Sequence, residues 1–257
     1  MQKLLFIFTT VLFFQLLPTK AQTYFVPTAP GTTLLYKNYD SKGKPVKVDK
    51  KDDWQTQTVE KTEKSGDTTI VYIAVDGAAF QTADAKSNAM IESIKKLKFK
   101  ITKDSVYFSI DPFFAAMGNM VSGASGGQAE MNVKSKLKGP VFPVNLKPGD
   151  KLDDFISGYI EYSTSAAGMN FSFTSVTTEK DRIIEGEENV TTPAGTFKCY
   201  KYRHTSTFEM KGSMMNQKQT TKNITWMNPE VGIVKSENYN DKGKLESRQV
   251  LEKIEKK

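Results

Sequence analysis

One cysteine, one histidine and two tryptophans in 257 residues set the first limits. A lone cysteine excludes an intramolecular disulfide, so the stability of the fold has to come from its core. One histidine with one cysteine is too few for a zinc site, and no metal or cofactor is expected. Cys199 and His204 stand five apart in a strand-like run. That spacing puts them on opposite strand faces and argues against Cys–His nucleophilic chemistry. No G-x-S-x-G turn leads into a helical pattern, so nothing supplies His204 with an activated serine. Charge of one sign is nowhere concentrated. Lys and Arg number 36 against 29 Asp and Glu, a formal +7, but the signs alternate through 47–53, 60–67 and 179–188. A solvated surface follows, with no nucleic-acid partner. After residue 21 no apolar run approaches the roughly 20 residues of a membrane helix, so no transmembrane span is expected in the mature chain.

The apolar run that does exist lies at the start. Lys3, the stretch 4–17 and the small Ala21 have the order of a secretory signal peptide over residues 1–21. Cleavage after Ala21 leaves Gln22 first and no cysteine to carry a lipid. The expectation is an exported protein, periplasmic or extracellular and not lipid-anchored, with residues 22–257 as a single antiparallel β domain.

The punctuation is that of strands and turns. Thr192-Pro193-Ala194-Gly195 precedes a strand over 197–203, and Asn228-Pro229-Glu230-Val231-Gly232 follows one over 224–227. Further strands are expected over 31–40, 46–49, 54–63, 68–75, 155–162, 169–174, 183–190, 231–239 and 245–254. Residues 68–75 are apolar on both faces, as in a sheet centre. Leu97, Phe99 and Ile101 face Val106, Phe108 and Ile110 across a turn at Lys103-Asp104. The seven residues from Asn38 to Lys44 recur, five of them identical, from Asn238 to Lys244. Matched turns of this kind suggest edge-related elements of one sheet system.

Helical signals are few. Met90, Ile91, Ile94 and Leu97 have helical spacing within 84–96. Asp111 as N-cap and Pro112 at N1 open a second short helix over 113–121, tethered by the flexible Gly/Ser segment 122–128. That helix either acts as a lid or packs permanently across one end of the sheet. Among the methionines, Met210, Met214 and Met215 fall in a polar loop, and thioethers are more often adaptable filler than copper ligands. Glu185 and Glu187 share a face in an acidic run that a solvated edge explains, and both tryptophans read as core.

The combination of Val141-Phe142-Pro143, Pro148-Gly149-Asp150-Lys151-Leu152, Thr192-Pro193-Ala194-Gly195-Thr196-Phe197 and Val231-Gly232-Ile233-Val234-Lys235 resembles the TapB-type family of exported bacterial β proteins. The resemblance implies a mainly β fold, an antiparallel curved sheet or half-open barrel with one or two short helices. It is more remotely similar to the lipoprotein carriers that hold acyl chains on a concave face. The family brings no catalytic residue with it.

Phe and Met on alternating strand faces lead to one functional expectation. An exported, non-enzymatic protein binds an apolar small molecule or hydrophobic peptide on a concave sheet face, lined by Phe113, Met117, Met120, Met169, Phe171 and Phe173. The alternative is a structural or protein-interaction module of the cell envelope, with an envelope protein as partner.

Overall fold

The computed structural model of the chain describes residues 24–78, 95–109, 131–137, 141–166, 169–212 and 216–256. The signal-like segment, the Gly/Ser segment and the helix expected over 113–121 lie outside them. So does 84–94 of the first helical stretch, while Lys96 already begins a strand. Every named element among the described residues is a strand. In chain order they are β1 (Thr33–Asp40), β2 (Lys47–Val48), β3 (Lys51–Asp52), β4 (Trp54–Ser65), β5 (Thr68–Gly77), β6 (Lys96–Ile101), β7 (Ser105–Ser109) and β8 (Met131–Leu137). They continue with β9 (Val141–Pro143), β10 (Phe155–Ala166), β11 (Met169–Thr192), β12 (Gly195–Gly212), β13 (Asn216–Asn228), β14 (Gly232–Asn240) and β15 (Leu245–Glu255).

Thirteen of these form one sheet in the order β8-β10-β11-β12-β13-β14-β15-β1-β4-β5-β6-β7-β9, with β2 and β3 a separate small hairpin. Every pairing in the large sheet is antiparallel. The expected mainly β antiparallel fold is therefore the observed one.

Several boundaries differ from the pattern. The strands expected over 169–174 and 183–190 are one 24-residue strand. The polar stretch between them stays paired because bulges at Lys180/Ile183 and Ile184/Gly186 absorb the irregularity, with Asp181 at φ 53°. β12 and β13 also run past their apolar stretches, and β12 carries Met210, which is not in a loop. Cross-strand threonines such as Thr207 and Thr220, 3.4 Å apart, hold that polar extension in β geometry. The matched turns are not at the edges of the sheet. β1 and β14 flank β15 in its middle and run parallel to each other, so both turns emerge at the same end. In each, a side-chain oxygen (Asp40, Asn240) accepts two backbone N–H bonds, and a glycine (Gly43, Gly243) takes φ near 75°.

The sheet curls, and the register shows which face is concave. Tyr202, Thr225, Ser236, Gln249 and Asn38 are successive cross-strand partners. Tyr36, on the same face of β1, pairs with Gln55; Val59 on that face of β4 pairs with Ile73. Tyr202 and Ile73 thus share a face although six strand spacings separate β12 from β5, about 29 Å in a flat sheet. Yet Val144 packs in the cluster of Val59, Val71, Ile73 and Ile101, and Leu146, two residues on, packs with Ile184, Tyr202 and Met227. Two residues of chain span only about 7 Å, so that face wraps around the 142–152 segment. Connectivity agrees. β8 and β9 are the two rims, but only three residues separate Leu137 from Val141, a reach of at most about 15 Å. The sheet is a half-open barrel whose rims do not pair.

The hollow is partly filled by its own chain. Residues 142–152 form an inner strap, joined by the lead-in, where Phe25 meets Tyr200 edge-on at 5.5 Å and Val26 joins the cluster around Ile73. Gly232 is required here. At φ 93° it lies against the lead-in, and a Cβ would sit 3.0 Å from the Phe25 carbonyl oxygen. Because Leu146 is the strap's main anchor over β11–β13, Leu146→Ala should cost about 2–4 kcal/mol. Urea unfolding would measure this, and a cost below about 1 kcal/mol would show that the strap is dispensable.

Candidate functional site

Across β12–β13–β14–β15–β1–β4 the two faces of the sheet differ in chemistry. On the outer face the cross-strand row is Lys201, Trp226, Lys235, Val250, Lys37 and Trp54. The next row contains Arg203, Ile224, Glu237, Arg248 and Tyr39. Its charges are matched: Glu185 lies 3.3 Å from Lys201 and 2.6 Å from Arg203, Glu237 2.8 Å from Lys235, and Asp52 3.3 Å from Lys37. Lys235 Nζ lies 4.3 Å from the Trp226 ring centroid. Trp226 is core as expected, packed with Cys199 and Val234; Trp54 is only half-buried.

The inner face of the same strands carries amides and hydroxyls. One row is Tyr202, Thr225, Ser236, Gln249 and Asn38; its neighbour is His204, Asn223, Asn238 and Ser247. Gln249 Nε2 donates to Asn38 Oδ1 at 3.3 Å and to Gln55 Oε1 at 3.1 Å, and Asn238 Nδ2 donates to Ser247 Oγ at 3.1 Å. These amide and hydroxyl side chains are half-buried.

Where this floor meets β11, four ionisable side chains gather. Arg182, 5% exposed, donates from Nε to the Tyr202 hydroxyl at 2.8 Å, and from its terminal nitrogens to the carbonyls of Asp153 (2.8 Å) and Val141 (3.2 Å). Its guanidinium carbon lies 4.6 Å from the Phe155 ring centroid and 5.5 Å from that of Phe142. His204 stacks on Tyr202 at 4.9 Å, and its Nε2 is 3.6 Å from Glu179 Oε2, while its Nδ1 is buried without a hydrogen-bond partner. That approach is no ion pair. Burial holds the Glu179 carboxyl above its usual range, and burial followed by the Arg182 charge pushes His204 down to about 4, so burial favours the neutral form of both. A nearby cleft of about 380 Å³ is lined by Lys151, Arg182 and Arg203 with Asp154 and Asp181, a mixture that selects neither sign. Cys199 is fully buried in β12, its thiol pushed up to about 11 by burial and by Glu188. Among the described residues no group of three His, Cys, Asp or Glu could hold a metal.

Comparison with known proteins bears on this fold. A sequence model of the DUF3108-like family matches residues 29–251. The chain belongs to the DUF3108-like family. A comparison with curated proteins returns no match. Among solved structures, this DUF3108-like chain is similar to a candidate exported protein with YmcC-like fold from Bacteroides fragilis. That likeness has 19% identity and a TM-score of 0.54, and covers 91% of this chain and 100% of that one. A candidate lipoprotein from Parabacteroides distasonis matches at 18% identity and TM-score 0.55, covering 91% and 99%. At these identities the shared property is the fold. The hypothetical lipoprotein YmcC from Escherichia coli aligns at 9% identity over 88% and 85% of the chains, and its TM-score of 0.27 carries no argument.

Of the six residues expected to line a hollow in this DUF3108-like fold, Phe113, Met117 and Met120 lie outside the described residues. Met169, Phe171 and Phe173 are positions of β11 paired with Ala166, Thr164 and Tyr162. The amide floor and the Arg182 cluster had no counterpart in the sequence reading, because the former is assembled from one or two residues on each of five strands.

Ordinary imidazole titrates near 6.5, but folded His204 only near 4. Between those values the unfolded chain takes up the proton and the folded chain does not, so His204 removes stability as pH falls through that window. Glu179 acts oppositely above its ordinary 4.5, because the folded carboxyl keeps its proton to higher pH. His204→Gln should therefore lose less stability than the native chain between pH 7 and pH 5, by up to about 2 kcal/mol. Urea titrations at the two pH values would show this; equal pH dependence in both proteins would contradict a neutral, buried imidazole.

Proposed function

We propose that the protein is exported and, without catalysing a reaction, holds the apolar part of a small molecule or hydrophobic peptide against the inner face of the half-open barrel. One observation carries the reading. β11 continues beyond Glu179 to Met169, still paired with β10, whereas the clusters built on the inner strap reach only Ile184 on β11 and Tyr202 on β12; Met169, Phe171 and Phe173 are the candidate lining of that extension. Phe113, Met117 and Met120 are the further candidates for the lining. Export is supported by the signal-like residues 1–21, by the similar structure described as exported, and by the resemblance of the turn motifs to TapB-type proteins. Soluble export to the periplasm or beyond, without a lipid anchor, is part of the reading. A second reading rests on β8, a rim strand paired with β10 alone among the described residues, which offers an edge for strand addition by an envelope protein.

The test is an environment-sensitive acyl probe titrated into the purified exported protein, with mass spectrometry of any copurified lipid or peptide. Phe171→Ser/Phe173→Ser should weaken probe binding at least about tenfold. Absence of binding by the native protein, or equal binding by the variant, would remove the carrier reading. Capture of an envelope protein through the β8 edge would favour the second.

A further inference from the structure

From the amide and hydroxyl floor of the half-open barrel we infer a binding site for a neutral, hydroxyl-rich ligand, a saccharide. The floor is Asn38, Gln55, Asn223, Thr225, Ser236, Asn238, Ser247 and Gln249. It spans β13, β14, β15, β1 and β4, five neighbouring strands beside β12, and each of these residues is half-buried on the concave face. Nothing in the sheet architecture demands this chemistry. Outside, the same strands carry Lys37, Lys201, Arg203, Lys235, Glu237 and Arg248. Further along the inner face, the strap is packed on valine, isoleucine and tyrosine.

The inventory of bonding groups narrows the occupant. An anion would find no lysine or arginine in these two rows. The acids at their margin are already engaged: Asp40 accepts the amides of Lys42 and Lys44, and Asp53 accepts from Asn38 Nδ2 at 2.8 Å. An acyl chain laid over the floor would bury amides without partners, at a cost in each case. An amide side chain has two donor and two acceptor positions. The bonds from Gln249 to Asn38 and Gln55, from Asn238 to Ser247, from Asn38 to Asp53 and from Asn223 to the Thr221 carbonyl leave more than half of that capacity unused among the described contacts. A ligand whose hydroxyls each donate and accept satisfies such a surface. An extended peptide is disfavoured, because its backbone pairs with a strand edge and the floor lies in mid-sheet.

The inference does not rest on the acyl-chain reading. The experiment presents the purified exported protein to immobilised neutral gluco-, manno- and galacto-oligosaccharides, with uronic-acid oligosaccharides and hydrophobic peptides alongside, followed by calorimetry on whatever is retained. Retention of neutral saccharides is expected. Asn238→Ala/Gln249→Ala should weaken their binding about tenfold, and Lys235→Ala on the outer face should leave it unchanged. If the double variant has lost its thermal transition, Ser236→Ala is read in its place, with a weakening of several-fold expected. Failure to retain any neutral saccharide, preference for acidic saccharides or peptides, or undiminished affinity in the floor variants would each overturn the inference. Acyl-probe binding that fails while saccharide binding persists removes only the carrier reading.

Discussion

A single buried guanidinium ties the interior together. Arg182 reaches from β11 to the carbonyls at both ends of the inner strap, Val141 and Asp153, and to the Tyr202 hydroxyl on β12. No carboxylate lies in ion-pair range of it among the described contacts. Three neutral acceptors and the faces of Phe155 and Phe142 solvate the charge instead. Burying a cation is expensive unless its donors are matched, so the strap has little freedom to lie elsewhere. With the strap fixed, Val144 and Leu146 draw two distant parts of one sheet face together, and the curl of the barrel follows.

That constraint divides the concave face into three zones. Where the strap lies, aliphatic side chains meet and the hollow is solid. Across β13, β14, β15, β1 and the start of β4 the floor is uncharged but polar. Beyond Glu179, β11 runs on past the strap to Met169. Glu179 and His204 sit where the zones meet, and burial shifts each toward its neutral form. The outer rows of the β12–β4 region carry charge in which an acid serves two cations: Glu185 for Lys201 and Arg203, Glu237 for Lys235 and Arg248. Charge and neutral polarity are thus separated across one thickness of sheet.

Local chemistry made much of the fold legible in the sequence. Leu97, Phe99 and Ile101 against Val106 and Phe108 is the hairpin that alternation describes, and the residues around Gly43, Gly66, Gly195 and Gly232 turn where turn residues stand. Cys199 and His204 fall on opposite faces, as their spacing requires. What escaped were properties of pairing. The polar stretches 175–182, 204–212 and 216–223 carry no hydrophobic period, and they are strands because neighbours hold them there. The rows of the floor escaped for a related reason. Asn38, Gln249, Ser236 and Thr225 are far apart in the chain and become one surface only through register. The resemblance to exported β proteins supplied the half-open barrel, and no single motif marked its floor.

The placement of β15 has a consequence for how the molecule comes into being. The last strand lies between β14 and β1, in the middle of the sheet, so the N-terminal half has no completed central pairing until the eleven residues of β15 arrive. A growing chain would expose both β1 and β14 as unpaired edges throughout its synthesis, the state most open to aggregation. Such a chain stays threadable until β15 has been made, and then closes around that strand as its keystone.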